Sequence, residues 1–344
     1  MVSPGADLRY LVGYPALPQE RLTCLVLPAL QSGHFVVPEL DRDEASASVH
    51  GLPGIHVRSW REEEDPVALV VSLLPGSGAI AVDDRMWAAH VLALGAALPG
   101  RELRTIGRVL GALRARKEPA EVAALREAAA AVDAVMAGMP ERLRPGRSEL
   151  EVAAETRAAM LAAGHVAAGY VIVASGPNGA LPHHAADDRV LCGGDAVVVD
   201  LAGMMPSGYW SDCTRTFVLG EPEPELAAAY AVLRDAQEAA VAAVREGVPA
   251  AAVDAAARER ITAAGYGRSF VHRTGHGIGL EVHEEPYIAA GNDAALEAGA
   301  VFSVEPGIYL PGRFGARLED IVVCGPDGAE RLNHTPRDLI VVDA

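Results

Sequence analysis

The stretch HRTGHGIGLEVHEEP, running from His272 to Pro286, holds three of the chain's eleven histidines, spaced four and seven residues apart. Gly275, Gly277 and Gly279 bracket the middle one, His276. Glycine permits close backbone approach and unusual φ angles, which suits a ligand histidine on a tight loop entering a strand. His283 is expected at the far end of the LEVHE strand, within reach of a bound substrate. His272 stands between two readings, a substrate contact and a surface or supporting residue.

Four acids interrupt apolar, strand-like runs. Asp200 lies within VVVDL, Glu305 within VFSVEPGIYL, and Glu319 within ARLEDIVV, two residues after Arg317. Asp212 follows the turn-forming MMPSG. In an antiparallel hairpin centred on Pro206, Asp200 and Asp212 are predicted to sit opposite each other. Thr214 would share their face, because strand side chains repeat every two residues. A carboxylate in an apolar strand costs several kcal/mol unless something neutralises it, and facing aspartates repel. The remedies are a buried Arg or Lys, a shared proton, or metal ions. One acid alone reads best as an edge residue or a buried ion pair. Four acids and a glycine-wrapped histidine cluster point to two divalent cations. Oxygen-rich ligation with one imidazole and no sulfur suits Mn²⁺, Co²⁺ or Fe²⁺ at least as well as Zn²⁺. Competing motifs fail: HEEPY has tyrosine at 287 where HExxH needs histidine, and neither GxGxxG nor GxSxG occurs.

The elements that must carry these residues read as α/β. A length of 344 residues suggests two domains. From 1 to about 116, LTCLVLP, HFVVP, VALVVSLL and AIAVDD look like strands and DRMWAAHVLALGAAL like a helix. The charged LRARKEPAE, with Pro119 near a helix start, places the boundary so that a second domain covers 117–344. There, two helical pairs look like copies of one unit: Arg144, Gly146, Val152 and Gly164 recur as Arg245, Gly247, Val253 and Gly265, always 101 residues on. Ser148 is the expected N-cap and Gly164 the stop of one helix. Extending the offset brings His183 to within one residue of His283, so each half would deliver a histidine.

A net charge of −17 argues against nucleic acid and against anionic membranes. No signal peptide is visible, and PVALVVSLLPGSGAIAVDD is too short and too broken to span a bilayer. Four scattered cysteines without CxxC read as reduced thiols in a cytoplasmic protein.

HRTGHGIGLEVHE resembles the proline-peptidase signature. The order Asp200, Asp212, His276, Glu305, Glu319 resembles the dinuclear ligand set of the "pita-bread" metallopeptidases, which include Xaa-Pro dipeptidase (prolidase), aminopeptidase P and methionine aminopeptidase. RARKEPAEVAALREA is similar to the entry into that domain, SGPNGALPHH to the segment bearing a substrate histidine, and SPGADLRYLVGY to part of a creatinase/prolidase N-terminal domain. The resemblance covers roughly 115–340 and, more weakly, the N-terminal domain. It implies a small N-terminal α/β domain, either trimmed at its start or with its start assigned late, then a pita-bread domain of duplicated αβ halves around a curved antiparallel sheet. It implies that Asp212 and Glu319 are shared by two metals, with Asp200 completing one site and His276 and Glu305 the other. Glu305 is implied as the proton shuttle. His183 and His283 are implied to hold the scissile carbonyl or a substrate carboxylate, and Arg317 to orient Asp200, Glu319 or that carboxylate. The expected substrates are short peptides with proline second, and the expected assembly is a homodimer. Aminopeptidase P, acting on longer peptides, is the alternative. A metal-free creatinase-type hydrolase would not need the acids, and a pure binding module would have lost them.

Overall fold

The computed structural model describes residues 1–343 and separates into two units, Met1–Arg114 and Ala115–Ala344. In the first, α1 (Ala6–Val12) precedes β1 (Cys24–Val26) and β2 (Gly33–Pro38), then α2 (Arg42–Ser48) and β3 (Ile55–Trp60). These strands form one sheet, β1 antiparallel and β3 parallel to β2. Next come α3 (Pro66–Ser72), β4 (Ile80–Val82), α4 (Ala88–Ala97), β5 (Leu103–Thr105), paired parallel with β4, and α5 (Gly107–Ala115).

VALVVSLL, expected to be a strand, is the helix α3. The Asp65 side chain accepts from the Val67 and Ala68 amides, and Pro66 occupies the first turn, where no amide is wasted. That cap outweighs the strand preference of three valines. Val70 is buried in a cluster with Val26, Val36 and Ile80.

The second unit opens with α6 (Pro119–Ala137), started by a Glu118–Glu121 capping box with Pro119 in its first turn. The single turn α7 (Met139–Arg142) follows, then α8 (Glu149–Ala162), whose Ser148 cap accepts from the Glu151 amide. β6 (Ala167–Ser175), β7 (Ala196–Met204) and β8 (Trp210–Leu219) form an antiparallel meander. α9 (Pro224–Ala243) and α10 (Ala250–Ala263) come next. β9 (Gly275–Gly277), β10 (Glu284–Ile288) and β11 (Val301–Val304) belong to a second sheet. β12 (Gly307–Leu310) and β13 (Phe314–Arg317) form a hairpin. β14 (Asp320–Cys324) and β15 (Ala329–Arg331) complete the second sheet, in the order β10-β9-β11-β14-β15. β16 (Ile340–Val342) adds in parallel to β8.

The duplication is visible in three dimensions. α8 and α10 each span 14 residues, and their limits are 101 positions apart throughout (149 to 250, 162 to 263). Gly146 and Gly247 precede them and Gly164 and Gly265 follow them, all at positive φ, where only glycine sits without strain. The helices of the first half pack on β6–β8 through Val152, Val173 and Val199. Those of the second pack on the second sheet through Val253, Ile261 and Phe302.

The hairpin forms with a different register from the one predicted. Asp200 pairs with Thr214, and Asp212 pairs with Ala202. The reversal centres on Ser207 rather than Pro206, because a loop with Met205 N–H donating to the Tyr209 carbonyl sets the turn. A slip of two residues preserves the face, so Asp200, Asp212 and Thr214 still project from the same side.

Candidate metal and substrate site

Two further segments differ from expectation for reasons that matter here. His276 is the centre of strand β9, not part of a loop entering one. Its flanking glycines serve close approach rather than unusual φ. A Cβ on Gly275 would collide with the Ser303 carbonyl oxygen, and one on Gly277 with that of Glu285. The "LEVHE strand" begins only at Glu284. His283 therefore lies on the bend before β10 and is exposed.

β7 carries Asp200 and β8 carries Asp212. Glu305 directly follows β11, where its amide donates to the Thr274 carbonyl (2.7 Å). Glu319 sits between β13 and β14, and its amide donates to the Thr214 carbonyl (3.1 Å), tying this strand break to β8. Behind it, Arg215 is fully buried, pairs with Asp320 at 2.7 Å and donates to the Glu319 carbonyl. The backbone of Glu319 is thus held from both sides.

One atom each from Asp212, His276 and Glu319 lies within 4.8 Å of the others. His276 Nε2 is 3.3 Å from Glu305 Oε1 and 3.8 Å from Asp212 Oδ2. His276 Nδ1 is 3.2 Å from the Gly277 carbonyl, which can only accept; the tautomer assigned from this contact puts the proton on Nδ1 and leaves Nε2 with a lone pair. Burial and the neighbouring His283 push the His276 pKa down to about 3, so the ring is neutral at pH 7. Lone pair therefore faces carboxylate oxygen. Burial, followed by the charges of Glu319, Asp200 and Glu305, holds the Asp212 carboxyl well above its usual range. Burial and the Glu305 and Asp200 charges do the same to Glu319, and burial raises Glu305 to about 7.

Among the described residues the Asp212 carboxylate takes no hydrogen bond, and Glu319 takes one, from Thr214 Oγ1 at 2.7 Å. Asp200 is compensated by Arg317 at 2.7 Å. Four carboxylates against one arginine leave three negative charges, and two divalent cations would overshoot that by one. These residues therefore fit a pair of divalent cations. Buried acids that face one another and a bare imidazole nitrogen, without donors between them, need cations or protons.

Arg317 does not point to the cavity as a free cation. It donates to Asp200, Thr214 Oγ1 (3.3 Å), the Pro182 carbonyl (3.1 Å) and Tyr309 Oη (2.8 Å). Tyr309 lies 2.9 Å from His272 Nε2, and His272 Nδ1 lies 2.7 Å from the Arg273 carbonyl. His272 is thus wired to Arg317 as a supporting residue, and burial lowers its pKa to about 4. Tyr309 gave no sequence signal. It is one of many apolar-strand residues until the fold brings it under Arg317.

The four carboxylates, His276 and Arg317 floor a cavity of about 870 Å³ lying wholly within the second unit. His183, His283, Tyr170 and Arg273 line its walls. The His283 ring is 4.1 Å from that of His276 and stacks at 6.3 Å on Tyr170. His183 is exposed to the cavity, while the next residue, His184, turns inward to Glu149 at 2.8 Å.

The sequence profile described as metallopeptidase family M24 matches residues 123–326, and the creatinase/prolidase N-terminal domain profile matches residues 1–116. The chain belongs to metallopeptidase family M24. It is 50% identical over 343 residues to the probable dipeptidase PepE of Mycobacterium tuberculosis, covering 99% of this chain and 91% of the relative. It is 35% identical over 352 residues to the Xaa-Pro dipeptidase of Lactobacillus delbrueckii subsp. lactis, covering 99% and 94%. The crystal structure of dipeptidase PepE from Mycobacterium ulcerans superposes with a TM-score of 0.93 at 51% identity, covering 100% of this chain and 92% of that one. Family M24 enzymes are metal-dependent hydrolases, and the chain has the pita-bread architecture of that family. Among the described residues no helix is long and apolar enough to cross a membrane.

Proposed function

We propose that this protein is an Xaa-Pro dipeptidase that uses two divalent cations, with Mn²⁺ or Co²⁺ preferred over Zn²⁺ or Fe²⁺. One observation carries the reading. Four carboxylates and an unprotonated imidazole nitrogen converge on the floor of a cavity large enough for a dipeptide, with too few donors to satisfy them. In this reading Asp212, Glu319 and Asp200 would hold one cation, and Asp212, Glu319, His276 and Glu305 would hold the other. Oxygen donors with a single imidazole support the metal preference. When bound, the cations supply Lewis acidity and lower the pKa of water.

The chain's own residues do the rest. Ser303 Oγ, 3.3 Å from Glu305 Oε1, orients that carboxylate. Glu305 takes a proton from the attacking water and returns it to the leaving nitrogen. His283 and His183, on the cavity walls, hold the scissile carbonyl and the charge that develops on its oxygen. Arg317 holds Asp200 in place, and His272 and Tyr309 brace Arg317. Proline preference draws on the Lactobacillus relative, whose name states that activity. A leaving imide nitrogen has no N–H, so a pocket that demands none admits it. Four unpaired cysteines support a reducing, cytoplasmic setting. A homodimer is carried by family resemblance.

The test is a panel of Ala-Pro, Ala-Pro-Ala and Ala-Ala with Mn²⁺, Co²⁺ and Zn²⁺. Cleavage of Ala-Pro far above the other two, abolished by chelation and restored by Mn²⁺ or Co²⁺, is the expected result. Preference for Ala-Pro-Ala would make the enzyme an aminopeptidase P. Full activity in metal-stripped protein would overturn the reading.

A further inference from the structure

A dipeptidase must recognise a carboxylate one residue beyond the bond it cuts. Recognition of a carboxylate in a partly desolvated cavity calls for a cation, and arginine's planar fork suits it best. Three arginines line the cavity: Arg157, Arg273 and Arg317. Arg317 is buried and already makes four hydrogen bonds, one of them to Asp200. Arg157 stands on the exposed face of α8.

Arg273 differs from both. It is half-buried on the cavity wall. Its guanidinium carbon lies 4.3 Å from the centroid of the Tyr287 ring, an arrangement that holds the plane in place without using its N–H groups. Among the described residues no carboxylate lies within ion-pair distance of it, and its guanidinium makes no hydrogen bond. The backbone on either side is pinned: the His272 carbonyl accepts from Arg258 (2.8 Å), and the Thr274 amide and hydroxyl donate to the buried Asp254 at 3.1 and 2.7 Å. A fixed, unpaired guanidinium stands beside the reaction centre of a site whose own acids are all on the floor.

We propose that Arg273, seated on Tyr287, binds the C-terminal carboxylate of the dipeptide and thereby restricts this enzyme to dipeptides. The proposal rests on the dipeptidase reading above. Arg273 is a specificity-determining residue, distinct from Arg317, which serves Asp200.

The experiment compares kcat/KM for Ala-Pro and Ala-Pro-NH₂ in the metal-loaded wild type, Arg273→Gln, Arg273→Lys and Arg157→Gln. The wild type should favour the free acid. Arg273→Gln should lower Ala-Pro cleavage by roughly 10- to 100-fold, the scale of a charge-assisted hydrogen bond, and leave the amide unchanged. Arg273→Lys should retain part of the discrimination, and Arg157→Gln all of it. The proposal is overturned if the acid-to-amide ratio survives in Arg273→Gln, if both substrates fall together, or if Arg157→Gln is the variant that collapses the ratio. A wild type that cleaves neither substrate sinks the dipeptidase reading instead. Calorimetric binding of Ala-Pro and Ala-Pro-NH₂ to metal-depleted protein, with and without Arg273→Gln, then still decides the role of the arginine.

Discussion

Two clusters in the second unit combine acids with a histidine around at least one buried carboxylate, and they are opposites. In one, Glu149, His184 and Asp187 come together. Glu149 is fully buried, yet its oxygens accept from the Ser175 amide and hydroxyl (both 2.6 Å), from Asn178, from the Asp187 amide (3.3 Å) and from His184 (2.8 Å). In the other, made of Asp212, Glu319 and His276, the carboxylates receive one hydroxyl donor, from Thr214 to Glu319. The residue types are the same, but the supply of donors is not. A carboxylate surrounded by N–H and O–H groups is a structural anchor. One facing other oxygens and a nitrogen lone pair needs a cation or a proton, and so fits a cation site. Residue type and proximity cannot separate the two, and counting hydrogens does. Glu149 has its own use: it pins the segment that carries His183, much as Asp254 on α10 pins Thr274, two residues before His276.

The contrast breaks most visibly under charge removal. Asp212→Asn should eliminate bound metal, counted by mass spectrometry of gently purified protein, and lower kcat by about a thousandfold or more, while the protein stays folded. Retained metal with retained turnover would show that the second cluster is not the cation site. Glu149→Ala should do the reverse. Metal content stays near the wild-type value, and unfolding in urea loses about 2–4 kcal/mol, because several buried donors lose their acceptor. Loss of metal without loss of stability would erase the distinction.

A smaller effect sharpens it further. In metal-free protein, Asp212, Glu305 and Glu319 have raised folded-state pKa values, Glu305 at about 7. Groups raised in this way favour the fold while protonated, and that contribution is lost as pH rises from the ordinary carboxylate range through the folded values. His276, at about 3, is already proton-free above pH 5 and releases nothing when a cation binds. The rise in melting temperature on adding Mn²⁺ should therefore grow between pH 5.5 and 8, by several degrees. Calorimetry in buffers of different ionisation enthalpy should show proton release on cation binding, with the share from Glu305 declining as pH rises past about 7. In Glu149→Ala the same trend should persist, since Glu149 is not a cation ligand in this account.

Much of the site was legible along the chain because its cost is local. An acid inside VVVDL or VFSVEP, or glycines around one histidine, is anomalous within a few residues and demands an explanation wherever the strand ends up. The exact match of α8 and α10 was legible for a similar reason, since capping and stop residues act within a turn. Strand reading failed where a cap competed with propensity, as in α3. The hairpin register was missed because the turn is set by a backbone bond between Met205 and Tyr209 that no side chain announces.

The sequence by itself therefore determined that acids and a histidine would share a site, and that the family's architecture would carry them. Tertiary structure decided what each group faces. It tied Arg317 to Asp200, set Tyr309 beneath it, left Arg273 free on the cavity wall, and gave Glu149 its donors while leaving Asp212 with none. Electrostatic role depends on the count of protons and charges within a few ångströms, and those neighbours come from strands a hundred residues apart.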